Sequence, residues 1–142
     1  MQTFRLTDGD IVLTSGSYAM VTGPEKLRQD LLYAISEPLG IDRFHPRWGS
    51  LLPSFIGGQV DEATQARVTA EVRRIISNYA AIQKDRIGRD ALQGRRSRYG
   101  TGEVIDRVIG VDVVPEMTKL HLRIVLKTLS QREITLVTTL EN

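Results

Sequence analysis

The stretch from Glu37 to Gly58 constrains this chain more than any other. It holds three of the five prolines, the single Trp, two of the three Phe and one of the two His. Pro38, Pro46 and Pro53 have fixed φ angles and no amide proton, so neither a helix nor a central strand runs through them. Leu, Ile, Phe and Trp between the prolines are too apolar for a solvated linker. The stretch is therefore expected to be an ordered connector between two helices, folded back to deliver Trp48 and Phe55 to a core.

The 142-residue length fits a single domain spanning 1–142 with an independent core. Hydrophobic content of 41% and charged content of 25% are those of an ordinary globular protein. The absence of cysteine excludes disulfides and thiolate metal sites. His45 and His121 are too few to build a zinc site without carboxylates at unobvious spacing. No apolar run is long enough for a membrane span, and residues 1–10 lack the apolar core of a signal peptide, which leads us to expect a cytoplasmic origin.

Gly23-Pro24 sets a helix start, with Pro24 suited to the first helical position and Glu25 to the positive end of the dipole. Leu27, Leu31 and Ile35 recur every fourth residue, Leu32 widens the stripe, and Pro38 ends the helix near Ser36. Asp61 caps a second helix, expected to run to about Tyr79, with Val68, Val72, Ile75, Ile76 and Tyr79 on one face; beyond it the pattern thins, and Ile82, Ile87, Ala91 and Leu92 could extend the helix or start a short one. Arg67, Glu71 and Arg74 are expected on the opposite, ion-paired face. Before the first helix, residues 4–21 alternate loosely and are broken by Asp8-Gly9 and Ser15-Gly16, a pattern of short strands.

From Glu103 the period changes to two. Val111 and Val113, then Leu120 to Leu126, then Ile134, Leu136 and Leu140 alternate with polar residues. The connections Pro115-Glu116-Met117-Thr118 and Leu129-Ser130-Gln131-Arg132 are short enough for hairpins. The fold class is α+β: two amphipathic helices packed on a C-terminal three-stranded antiparallel sheet, with short extended N-terminal segments. Residues 119–129 join both hairpins and are expected at the centre, leaving 104–114 and 134–140 as edges.

Candidate chemistry is thin. Glu37 and Asp42 are two loop carboxylates that could act as the acid and base of a peptidoglycan hydrolase. The simpler reading gives Glu37 backbone amides or Arg43 and Arg47 as partners. His45 has no nucleophile arrangement beside it, and His121 lies on the polar side of a strand between Lys119 and Arg123. No phosphate-binding loop is present.

Charge is local. The net charge is +2, yet residues 84–102 carry six cations against two acids, a net of +4. Gly88, Gly94, Gly100 and Gly102 suggest a flexible, solvated excursion there. Arg86, Arg89, Arg95, Arg96 and Arg98, with Tyr99, would suit a nucleic-acid contact by phosphate pairing and stacking. They would equally suit an arm docking on an acidic patch of a neighbouring protein, preferred because the cluster is short and the whole chain only weakly basic.

The order of these segments resembles the small baseplate wedge proteins of contractile-tailed bacteriophages and the corresponding baseplate subunit of type VI secretion systems. The likeness covers most of residues 10–140. It runs from Asp10 to Leu13, through the Gly16 turn and Val21 to Gly23 opening a helix with Leu27, Leu31 and Leu32. It continues to Pro46-Arg47-Trp48-Gly49-Ser50-Leu51, a second helix and paired strands. The resemblance implies a non-enzymatic subunit of a large hetero-oligomer in the virion tail, assembled in the host cytoplasm. It also implies wedge and sheath proteins as partners, with no cofactor, small-molecule substrate, nucleic acid or membrane. Family members template the first sheath ring by strand exchange, which directs attention to Ile134, Leu136 and Leu140 and to the arginines as partner-binding residues. Glu37, Pro46, Trp48 and Gly49 become a structural loop. Many members carry Glu-Pro-Arg after the second helix to grip the wedge core; here Tyr79-Ala80-Ala81-Ile82 stands there, and Arg86 to Arg98 are expected to replace part of that contact. Some members are labelled lysozyme-like, an activity nothing in this sequence supports.

Overall fold

The computed structural model describes residues 1–58, 61–116 and 118–141. Six short strands lie at the N-terminus: β1 (Gln2–Phe4), β2 (Leu6–Thr7), β3 (Asp10–Ile11), β4 (Leu13–Thr14), β5 (Ser17–Tyr18) and β6 (Met20–Thr22). They pair as β1–β6, β2–β3 and β4–β5, three stems of a cloverleaf. Asp8-Gly9 and Ser15-Gly16 turn the two outer stems with every φ between 50° and 86°, the left-handed geometry of tight hairpins. At the hub the Arg5 N–H donates to the Ala19 carbonyl (2.7 Å), Ala19 to Val12 (2.9 Å) and Val12 to Arg5 (2.9 Å), closing a ring of main-chain bonds.

Helix α1 (Gly23–Ser36) follows, with Pro24 in its first turn. Gln29 fastens it to the cloverleaf, accepting from the Leu6 N–H and donating to the Phe4 carbonyl, both at 2.9 Å. The connector then folds back and ends in a 3-10 turn (Leu52–Phe55). Leu52 is fully buried, while Trp48 and Phe55 are half-buried against the core, as the apolar connector requires.

Helix α2 (Glu62–Leu92) starts at Asp61, whose side chain accepts from the Thr64 N–H. It continues a full three turns beyond Tyr79, through Gly88. Residues 84–92 of the expected excursion are therefore helical, while 93–104 form turns outside any helix or strand. Propensity and glycine content are overruled by tertiary bonds: Gln83, 1% exposed, donates to the Glu103 carbonyl (2.7 Å) and accepts from the Ile105 N–H (3.0 Å). Asp90, also buried, takes the Arg98 guanidinium and its N–H. Glu71 also departs from expectation. It faces inward rather than to solvent, because it caps the connector.

Strands β7 (Ile105–Pro115), β8 (Lys119–Thr128) and β9 (Glu133–Glu141) form an antiparallel sheet in the order β7-β8-β9. The turn between β7 and β8 includes Met117, which lies outside the described residues. Strand β7 carries bulges between Ile105 and Arg107 and between Val108 and Gly110. Leu120, Leu122, Ile124, Leu126, Ile134 and Leu136 face the helices and are nearly inaccessible, packed with Leu27, Leu31 and Ile35 of α1 and the Val68–Ile76 face of α2. Burial of each such aliphatic side chain contributes about 1.5–3 kcal/mol.

Candidate functional site

The candidate site is the margin of this sheet. A three-stranded sheet has two edges, each with main-chain groups able to pair with another chain. Here the two differ. Along β7, helix α2 already supplies partners: the Gln65 amide donates to the Val113 carbonyl (3.2 Å), and Gln83 takes the Ile105 N–H. Along β9, among the described residues, no main-chain group bonds to anything outside β8. The β9 edge is thus the less occupied of the two among the described residues.

Of the expected contact residues on β9, Ile134 and Leu136 are buried and Leu140 packs against the core. Their side chains anchor the strand, so what this segment can offer a neighbour is its main chain and its outward residues. Those are Glu133, Thr135, Val137, Thr139 and Glu141, all exposed. Lys119 pairs with Glu141 at 2.7 Å, holding its carboxyl below the usual range and its own ammonium above the usual lysine value.

The five expected arginines are brought to one end of the molecule, but most are occupied. Arg98 binds the buried Asp90 at 3.2 Å and holds that carboxyl below its ordinary range. Arg89 pairs with Asp85 (2.9 Å), and Arg86 donates to the Tyr99 hydroxyl (3.1 Å). Tyr99 is buried, so it stacks on no exposed ligand. Arg95 and Arg96 are the members of the cluster whose guanidinium groups have no hydrogen bond or ion pair among the described residues. Sequence reasoning missed Glu103, which organises this end. Its carboxylate, 2% exposed, accepts from the Met1 ammonium (2.9 Å), the Gly23 N–H (3.1 Å) and the Gly100 N–H (2.9 Å). No local pattern announces it, because two of its three partners are remote in sequence.

The connector is a structural clamp. Glu37 accepts from the Trp48 indole N–H (2.7 Å), and the indole lies on Tyr79 with ring centroids 5.9 Å apart. Burial pushes the Tyr79 phenol up, with the Asp30 carboxylate it donates to adding to the shift, so it stays a neutral donor. The Leu39 N–H donates to the Ser50 carbonyl and the Ser50 N–H to the Glu37 carbonyl, pairing the two limbs of the loop around Pro46. At Gly49, with φ +96°, a Cβ would stand 2.6 Å from the Pro38 carbonyl oxygen. Glu71 accepts from the Leu51 N–H (2.8 Å), and Arg74 bridges Glu71 to the Gly49 carbonyl (2.9 Å).

Acid–base chemistry has little footing in this loop. The Asp42 carboxylate accepts from the Phe44 N–H and holds His45 at 2.7 Å, and the His45 contact draws its pKa down, so of the two roles it could fill only that of the ionised partner. The shallow depression beside Trp48, about 350 Å³, is lined by His45, Pro46, Arg47, Asn78 and Ile82 and includes neither Glu37 nor Asp42, and the depression that Glu37 lines with Tyr33 and Ser36 does not include Asp42. Among the described residues no group of His, Asp and Glu is arranged to hold a metal ion, and no helix is long and apolar enough to cross a membrane.

No family model and no curated protein matches this chain. Among solved structures it is similar to a chain of the postcontracted baseplate of pyocin R2, at 21% identity over 94% of this chain and 99% of that one, with a TM-score of 0.45. A likeness of that depth leaves the function to be argued from the chain's own residues.

Proposed function

We propose that this chain is a structural, non-enzymatic subunit of a contractile-tail baseplate, joining the wedge to the tube and sheath region and templating the first sheath ring by accepting a strand. The observation that carries the reading is the β9 edge, whose outer main-chain groups lack any partner among the described residues while the opposite edge is partly occupied by Gln65 and Gln83. The order of segments from Asp10 to the paired strands supports the same reading. Each hydrogen bond to an added strand contributes about 0.5–1.5 kcal/mol net, so one contact is weak and a ring of copies makes it durable. Arg95 and Arg96 add a second, electrostatic contact to an acidic neighbouring protein.

The test is a tagged chain isolated from cells producing the particle. Wedge and sheath proteins are expected to co-purify, and a Glu37→Gln chain is expected to assemble equally well. Hydrolysis of peptidoglycan by the purified chain, abolished by Glu37→Gln, would overturn the reading.

A further inference from the structure

Resting on that reading, the chemistry of β9 specifies which strand it accepts. Its outward residues read Glu133, Thr135, Val137, Thr139, Glu141, the same in both directions. A strand laid beside β9 would place its own outward side chains about 4.5–5.5 Å from these. Opposite the middle of β9 it would meet Thr, Val and Thr; opposite both ends, a carboxylate. The two glutamates are eight residues apart, about 27 Å along a strand.

The acids complete rows that cross the sheet. Arg107, Lys127 and Glu133 are successive cross-strand partners, and Lys119 pairs with Glu141. Glu133 has no ion pair among the described residues, and Glu141, beyond its bond to Lys119, stays more than half exposed. A cation on the incoming strand would pair with each glutamate, so that Glu133 would lie between it and Lys127, and Glu141 between it and Lys119. A second copy of β9 would do the opposite. Antiparallel pairing centred on Val137 sets Glu133 against Glu141 of the other copy twice, and in-register parallel pairing sets each glutamate on its equivalent. Like charges directly opposite destabilise a sheet, so β9 is built to stay open in the presence of its own kind.

We propose that β9 accepts an extended segment of a different chain that carries Lys or Arg at both ends of a nine-residue strand with Thr or β-branched residues between, and rejects a second copy of itself. The charge pattern sets the choice of strand; the main-chain edge supplies the ladder.

The experiment uses two nine-residue peptides: one with the sequence of β9 itself, Glu-ended, and one identical except for Lys at both ends. Binding is followed by amide exchange and chemical shifts of β9 in the full chain. The Lys-ended peptide is expected to slow exchange of β9 amides and to bind at least about five-fold tighter than the Glu-ended one, two favourable cross-strand pairs replacing two unfavourable ones. In a Glu133→Lys/Glu141→Lys chain the preference should reverse. Glu133→Gln alone, which leaves the Lys119–Glu141 pair intact, should narrow it. Equal protection of β9 by both peptides would overturn the charge selection while leaving strand acceptance standing. Protection of β9 by neither peptide would overturn both.

Discussion

At the scale of single residues, the connector depends on a few atoms with no room to move. Gly49 combines a left-handed φ with a carbonyl 2.6 Å from where a Cβ would sit. Gly49→Ala is therefore expected to cost about 2–4 kcal/mol through strain and forced displacement. Urea unfolding should show a lower midpoint at unchanged slope; a change below about 0.5 kcal/mol would contradict the clamp. Glu71 gives a pH signature. The Arg74 guanidinium holds its carboxyl below the ordinary value of 4.5, with the Leu51 N–H helping and burial opposing. A depressed folded-state pKa contributes stability that is complete above the ordinary value and is lost as pH falls through the depressed one. Glu71→Gln should lower stability at neutral pH and flatten its decline below pH about 4.5. A decline unchanged in steepness would show that the pair does not contribute. Trp48 is legible from the sequence as a core anchor, but its acceptor Glu37 is not, since it lies eleven positions earlier across a loop.

At the scale of elements, periodicity reveals what side chains bury and misses what main chains do. The four-residue recurrence of Leu27, Leu31 and Ile35 and the alternation from Leu120 to Leu126 identify α1 and β8, because burial selects residue type directly. The cloverleaf hub escapes such reading: the ring joining Arg5, Val12 and Ala19 is made of backbone groups that any residue carries. The second half of α2 escapes it for another reason. Ile82, Ile87, Ala91 and Leu92 permit an extension while Gly88 and the thinning apolar stripe weigh against it, and the bonds from Gln83 and Asp90 to residues beyond the helix decide for it. Gly88 has open space where a Cβ would lie. Gly88→Ala should thus stabilise the protein by about 0.5–1 kcal/mol and raise its melting temperature; destabilisation would mean that the segment is not helical in solution.

At the scale of the whole molecule, the α+β fold and the central position of β8 follow from hairpin connections and alternation. Which margin stays open does not. That asymmetry arises because α2 reaches β7 with Gln65 and Gln83, two residues with no sequence signal of their own, while nothing equivalent reaches β9 among the described residues. Likewise the arginine segment reads as a free arm but is mostly bound internally, by Asp90, Asp85 and Tyr99. Among the described residues the molecule thereby presents a β9 edge with no partner beyond β8 and a small basic corner at Arg95 and Arg96. The most direct test is hydrogen–deuterium exchange of the chain alone and within the assembled particle. The outward-facing amides of β9 should exchange freely in the isolated chain and become protected on assembly, with β7 changing far less. Unchanged exchange along β9 in the assembled particle would contradict the account.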